Sequence, residues 1–149
     1  MNKKQLEVKR QLNDAIAACM EKKAEDVSVL EMEKNSGAFT DYFVVCSGTN
    51  PRQIQSISDE VEHRLERTGL RPTHVEGYNQ AEWVLLDYVD FVVHVFSEKA
   101  RKFYDLERLW KTARRVAPAE LKRPTVKRAS RRRTERAAAK TIPPARKKA

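Results

Sequence analysis

The chain has 149 residues and a mass of 17.2 kDa, room for one ordinary domain with length to spare, and 40% of it is hydrophobic against 34% charged. No apolar run approaches the roughly 18 residues that cross a bilayer, and the opening MNKKQLEVKRQLND lacks a signal-peptide pattern, so the expectation is a cytoplasmic protein with no membrane partner. The net charge of +9 suggests nucleic acid only until it is located: residues 117–149 hold twelve Lys or Arg against two acids, and residues 1–116 carry a net of −1.

Residues 5–23 read as an amphipathic helix, with Leu12, Ala15, Ile16, Cys19 and Met20 at three-four spacing on one face. In the segment 26–33, Val27, Val29 and Met32 mark a strand, and 34–41 with Asn35-Ser-Gly37 is a loop. Tyr42 to Ser47 is a nearly continuous β-branched and aromatic run, as expected of a strand covered on both faces. The next helix has Asn50 as N-cap, Pro51 in the first turn and Gln53 placed to reach back as a capping-box partner. Ile54, Ile57, Val61 and Leu65 form its stripe and Gly69 ends it. With the extended segment 71–76 this predicts a right-handed βαβ unit.

Trp83 to Tyr88 and Asp90 to Phe96 are two further strands whose short connection demands a hairpin. Ser97 caps a last helix carrying Ala100, Phe103, Leu106 and Trp110. The expected fold is α/β, a mixed sheet of about five strands with flanking helices over residues 1–116. Residues 117–149 have no glycine or aromatic residue and carry four of the six prolines. Their isolated Leu121, Val126 and Ile142 bury too little to offset ordering, which predicts a disordered basic tail.

The chemistry that these residues offer is sparse. Cys19 and Cys46 lie in apolar patterns with no partners at metal-ligand spacing, and two cysteines do not make a disulfide scaffold. The segment Ser47-Gly-Thr-Asn-Pro-Arg52 sits where phosphate loops sit, but it lacks their repeated glycines and lysine, so a capped turn is the better reading. Asp41, Asp87 and Asp90 flank strands and are the best-placed carboxylates for Mg²⁺, yet Asp87 and Asp90 bracket a tight turn, where Asp is favoured for turn chemistry alone. His94 alternates with apolar neighbours and reads as a hydrogen-bonded structural histidine. No metal, no cofactor and no catalytic residue is expected. Trp83 and Leu85 share one strand face and Val84 and Leu86 the other. If the valine side faces the core helices, Trp83 and Leu85 look outward beside acids, as a protein-binding anchor would. Spacing equally allows a further helix of the same domain to cover them.

The ordered series Thr40-Asp-Tyr-Phe-Val-Val-Cys-Ser-Gly-Thr49, Arg52-Gln53, Val75-Glu-Gly77, Trp83-Val-Leu-Leu-Asp87, Asp90-Phe-Val-Val-His-Val-Phe96 and Arg101-Lys-Phe-Tyr-Asp-Leu-Glu-Arg-Leu-Trp110 closely resembles the ribosomal silencing factor family, also called Iojap. The resemblance implies a fold like that of nucleotidyltransferases without their catalytic apparatus. It implies a translational repressor that binds the large ribosomal subunit through its fourteenth protein and blocks joining of the small subunit, as under nutrient limitation. Organellar relatives assist large-subunit assembly. Carried over by position, Trp83 and Leu85 would supply apolar contact, while Glu76, Asp87 and Asp90 would meet basic groups; Asp41 and Tyr88 would support them. A homodimer sharing the Trp83 face is compatible with the resemblance. The chain departs from the family at Val89, where glycine is usual, and in its tail, whose Arg131, Arg132, Arg133, Lys147 and Lys148 are the candidate contacts to ribosomal RNA. The alternatives are a phosphoryl-transfer enzyme using Asp87 or Asp90, an assembly factor, and an RNA-binding protein that works through the tail.

Overall fold

A computed structural model describes residues 2–34, 37, 39–110, 113–117 and 121. Helix α1 (Lys3–Glu21) begins with a reciprocal cap: the Gln5 N–H donates to Asn2 Oδ1 at 2.8 Å and the Asn2 N–H to Gln5 Oε1 at 2.9 Å. Leu12, Ala15 and Cys19 are buried as their spacing predicts, but Met20, expected beside them, is 60% exposed. Strands β1 (Glu25–Glu31) and β2 (Tyr42–Gly48) pair antiparallel, with an irregularity between Glu25 and Ser28. Helix α2 (Pro51–Glu66) follows, and Asn50 Oδ1 accepts from the Gln53 N–H at 2.8 Å as predicted. The Gln53 side chain reaches one residue further back than a capping box requires. It accepts from the Thr49 N–H at 2.6 Å and donates to the carbonyls of Lys22 and Lys23, fastening the start of α2 to the end of α1.

The remaining elements are β3 (His74–Glu76), β4 (Trp83–Asp87), β5 (Phe91–Ser97), the short helices α3 (Glu98–Tyr104) and α4 (Leu106–Leu109), and β6 (Arg114–Arg115). They form a mixed sheet of six strands, ordered β3-β4-β5-β2-β1-β6, one more than the sequence suggests. Strands β2 and β5 are parallel and every other pair is antiparallel. The expected βαβ unit therefore changes form. β3 runs in the direction of β2 but has two strands, β4 and β5, between it and β2, because β5, nearly all apolar and buried, takes the central place beside β2. Three exposed residues suit only an edge.

The sheet separates two hydrophobic clusters. Helices α1 and α2 cover one face, where Leu12, Ile54, Ile57, Val61 and Leu65 meet Val44, Val84, Leu86, Val93 and Val95. On the other face Leu30, Phe43, Val45, Val92 and Phe96 pack under Ala100 and Leu106. The predicted last helix is capped by Ser97, whose Oγ accepts from the Ala100 N–H at 3.0 Å, but it breaks at Asp105, a left-handed residue with φ +46°. Phe103, still within α3, is 80% exposed, while Trp110, beyond the break, is half-buried against Phe43. Leu121, assigned on sequence to the tail, is buried in the first cluster, and its carbonyl accepts from Asn13 Nδ2 at 2.8 Å. Packing against α1 gives this one apolar side chain the buried surface that its own segment could not supply. Arg131, Arg132, Arg133, Lys147 and Lys148 lie outside the described residues.

The β4–β5 turn resolves what Val89 does in place of glycine. Asp87 Oδ1 accepts from the Val89 N–H at 2.8 Å, and the Asp90 N–H donates to the Tyr88 carbonyl at 2.8 Å, closing a three-residue turn around Val89 at φ +73°. A β-branched residue is strained there, by about 1–3 kcal/mol. Val89 is also 57% exposed, so little packing compensates. Val89→Gly should therefore stabilise the protein by about 1 kcal/mol after the extra chain entropy of glycine is subtracted. Thermal unfolding should show the midpoint rising by several degrees; an unchanged or lower midpoint would contradict the strain.

Candidate functional site

Strand β4 carries the candidate site, because its two faces meet different surroundings. Val84 and Leu86 are fully buried toward α1 and α2, while Trp83, Leu85 and Asp87 are half-buried on the opposite face. That face is only partly roofed. Trp83 stacks on Phe96 with ring centroids 5.0 Å apart and meets Tyr104 of α3 at 4.6 Å, so both readings of the sequence hold in part: a helix covers one side of the indole and the rest is open. In the antiparallel registers Glu76 stands opposite Leu85 and His74 opposite Asp87, which puts all four on one side of the sheet beside the edge. Glu76 is exposed. The result is a strip about 13 Å long on β4, apolar at Trp83 and Leu85 and acidic at Asp87, with Glu76 and His74 of β3 beside it.

Gly77 sets the height of this strip. With φ +80°, it brings its backbone so close to β4 that a Cβ there would lie 2.0 Å from the Trp83 carbonyl oxygen. No side chain fits, which gives the Val75-Glu-Gly77 motif a physical reason.

The other candidates separate. Asp90 lies beyond the turn, 3.6 Å from Lys4 Nζ, and its carbonyl accepts from the Asp41 N–H at 3.1 Å, so Asp41 and Asp90 are joined through backbone where β2 and β5 begin. Tyr88 is not on the strip at all. It is 3% exposed within the first cluster and stacked on Phe91, and burial pushes its hydroxyl well above the ordinary tyrosine range. Among the described residues no group of three or more His, Cys, Asp or Glu could hold a metal ion. An open polar cavity of about 740 Å³ lies where β2 and β5 end, lined by Ser28, Ser47, Arg101 and Glu107 among others. Asp87 and Asp90 stand at the far end of the sheet from it. Arg101 is occupied, donating to Ser47 Oγ at 3.0 Å and to Glu107 at 2.6 Å.

His94 takes a part that its sequence position did not disclose. Opposite Leu85 and diagonal to Trp83, it accepts from Trp83 Nε1 at 3.0 Å through Nδ1. Reading β4 and β5 as a hairpin in register, with 83, 85 and 87 facing 96, 94 and 92, is the signal that would have paired them. Tyr104 was missed because the packing of α3 on the sheet, which brings it to Trp83, is tertiary.

The comparisons with known proteins agree with this frame. The family described as "Ribosomal silencing factor during starvation" matches residues 5–146. The ribosomal silencing factor of Bacillus subtilis is 42% identical over 99 residues, covering 66% of this chain and 83% of that protein. A mitochondrial Iojap-related protein of Arabidopsis thaliana is 32% identical over 93 residues, covering 59% of this chain and 50% of its own length. A crystal structure from Bacillus halodurans superposes with a TM-score of 0.62 at 40% identity, covering 71% of this chain and 95% of the other. One from Chromobacterium violaceum does so at 0.64 with 30% identity, covering 74% and 88%. In both sequence and fold, the chain belongs to the ribosomal silencing factor family.

Proposed function

We propose that this protein represses translation without catalysis, by docking the β3–β4 strip on the large ribosomal subunit through its fourteenth protein and excluding the small subunit by bulk. The observation that carries the reading is the strip itself. Trp83 and Leu85 are held half-open on an otherwise packed sheet, with Glu76 and Asp87 beside them to meet a basic surface. The phosphoryl-transfer alternative has no comparable support, since its carboxylates stand away from the cavity at the other end of the sheet.

The test is co-sedimentation with isolated large subunits together with a subunit-joining assay. Trp83→Ala should weaken binding by about 2 kcal/mol, some 30-fold, as central aromatic anchors do. It should lose a smaller amount of stability, because the indole also packs on Phe96. Wild-type protein that neither sediments with large subunits nor slows joining would sink the proposal. Binding without inhibition would favour an assembly role.

The basic tail adds a salt-dependent term to this docking. Removing residues 122–149 while keeping Leu121 deletes twelve Lys or Arg. Binding should weaken at low salt, and its dependence on salt should flatten, because fewer counterions are released from RNA phosphates. Equal salt slopes for the two forms would show that the tail makes no such contact.

A further inference from the structure

We propose that His94 is a positioning residue for the docking surface: its Nδ1 holds the Trp83 indole by the N–H, so that the ring is fixed before a partner arrives and offers that partner only apolar surface. The inference rests on the docking role of the Trp83 face. Its geometry is complete within the chain. The indole N–H is 3.0 Å from His94 Nδ1, Phe96 lies 5.0 Å away in a stack, and Tyr104 closes at 4.6 Å. His94 is itself immobilised, 3% exposed, with Phe43 edge-on at 4.6 Å and Phe96 parallel at 6.1 Å.

The histidine is chemically costly at this place, which is informative. If Nδ1 accepts, Nε2 carries the proton, and Nε2 is buried with no hydrogen-bond partner. A leucine or phenylalanine would suit the surrounding cluster without that orphaned donor. What only the histidine supplies is an acceptor for Trp83. A fixed aromatic anchor binds better than a mobile one, because its rotamer entropy is lost on folding and not on association. A ring whose N–H is already satisfied also needs no acceptor from the partner. The complementary group is then an aliphatic or aromatic side chain set among basic ones, which meet Glu76 and Asp87.

The experiment uses the full chain. His94→Leu removes the acceptor, and His94→Asn, though smaller, restores one by setting an amide oxygen at the place of Nδ1. Hydrogen exchange of the Trp83 indole N–H is read by NMR in the free protein, assigned against Trp110 with a Trp83→Phe sample. Affinity for isolated large ribosomal subunits is read in parallel. Slow indole exchange is expected in wild type, at least tenfold faster exchange and about tenfold weaker binding in His94→Leu, and recovery of most of both in His94→Asn. His94→Phe serves in the same comparison if the leucine variant does not fold. Wild-type indole exchange as fast as that of free tryptophan would overturn the lock. Unchanged subunit affinity in a folded His94→Leu or His94→Phe would overturn its role in docking. If wild type fails to bind subunits, the docking role falls instead, and the exchange measurement still decides whether the indole is held.

Discussion

Ile57→Asp is expected to unfold the protein. Ile57 is fully buried at the middle of α2, inside the cluster that joins both long helices to the sheet. The substitution removes an apolar side chain worth about 2–5 kcal/mol and leaves a carboxylate without a partner, at a further cost of several kcal/mol whether it stays charged or takes up a proton. Small domains are stable by about 5–15 kcal/mol in total. Circular dichroism and a thermal scan would check this. A variant that stays folded with an unchanged midpoint would contradict the placement of α2 against β2, β4 and β5.

Acid should destabilise the protein through His94 before the carboxylates dominate. Burial lowers the His94 pKa from 6.5 to about 3. Between those values the unfolded chain binds a proton that the native state refuses, so stability falls as the pH drops through this window and levels off near its lower end. At 1.36 kcal/mol per pH unit the loss from His94 alone is roughly 2 kcal/mol by pH 5 and 3 kcal/mol by pH 4, as upper values. Urea midpoints of wild type and His94→Leu at pH 7, 5 and 4 separate this from carboxylate titration, which both share. The wild-type midpoint should fall more steeply. Parallel curves would mean that His94 titrates alike in the native and unfolded states, which would contradict its dry burial.

These two residues mark what could be read at each level. Ile57 was legible because a helix stripe repeats every three to four residues and its cap is chemically specific: Asn50, Pro51 and the run to Leu65 settle α2 locally. The same holds for the buried strand Tyr42 to Ser47 and the β4–β5 hairpin. The candidate site was half legible. Alternation along β4 assigned Trp83, Leu85 and Asp87 to one face, since side chains alternate strictly along a strand. Alternation cannot say how much of that face is covered.

Coverage depended on how α3 lies against the sheet, which sets Tyr104 on the indole while Phe103 faces out. The place of β3 was likewise undecided by its own residues, because adjacency in a sheet is a competition between strands, and β5 with its buried apolar run outcompetes three exposed residues for the seat beside β2. Leu121 joined the core only because α1 offered its apolar side a surface far away in sequence. Period, caps and charge are properties of a few consecutive residues, so the sequence alone determined α1, α2, the strands β1, β2, β4 and β5, and most of their inward faces. Which faces remain open, and which histidine meets which tryptophan, depends on contacts between distant segments, and only the tertiary structure decided them.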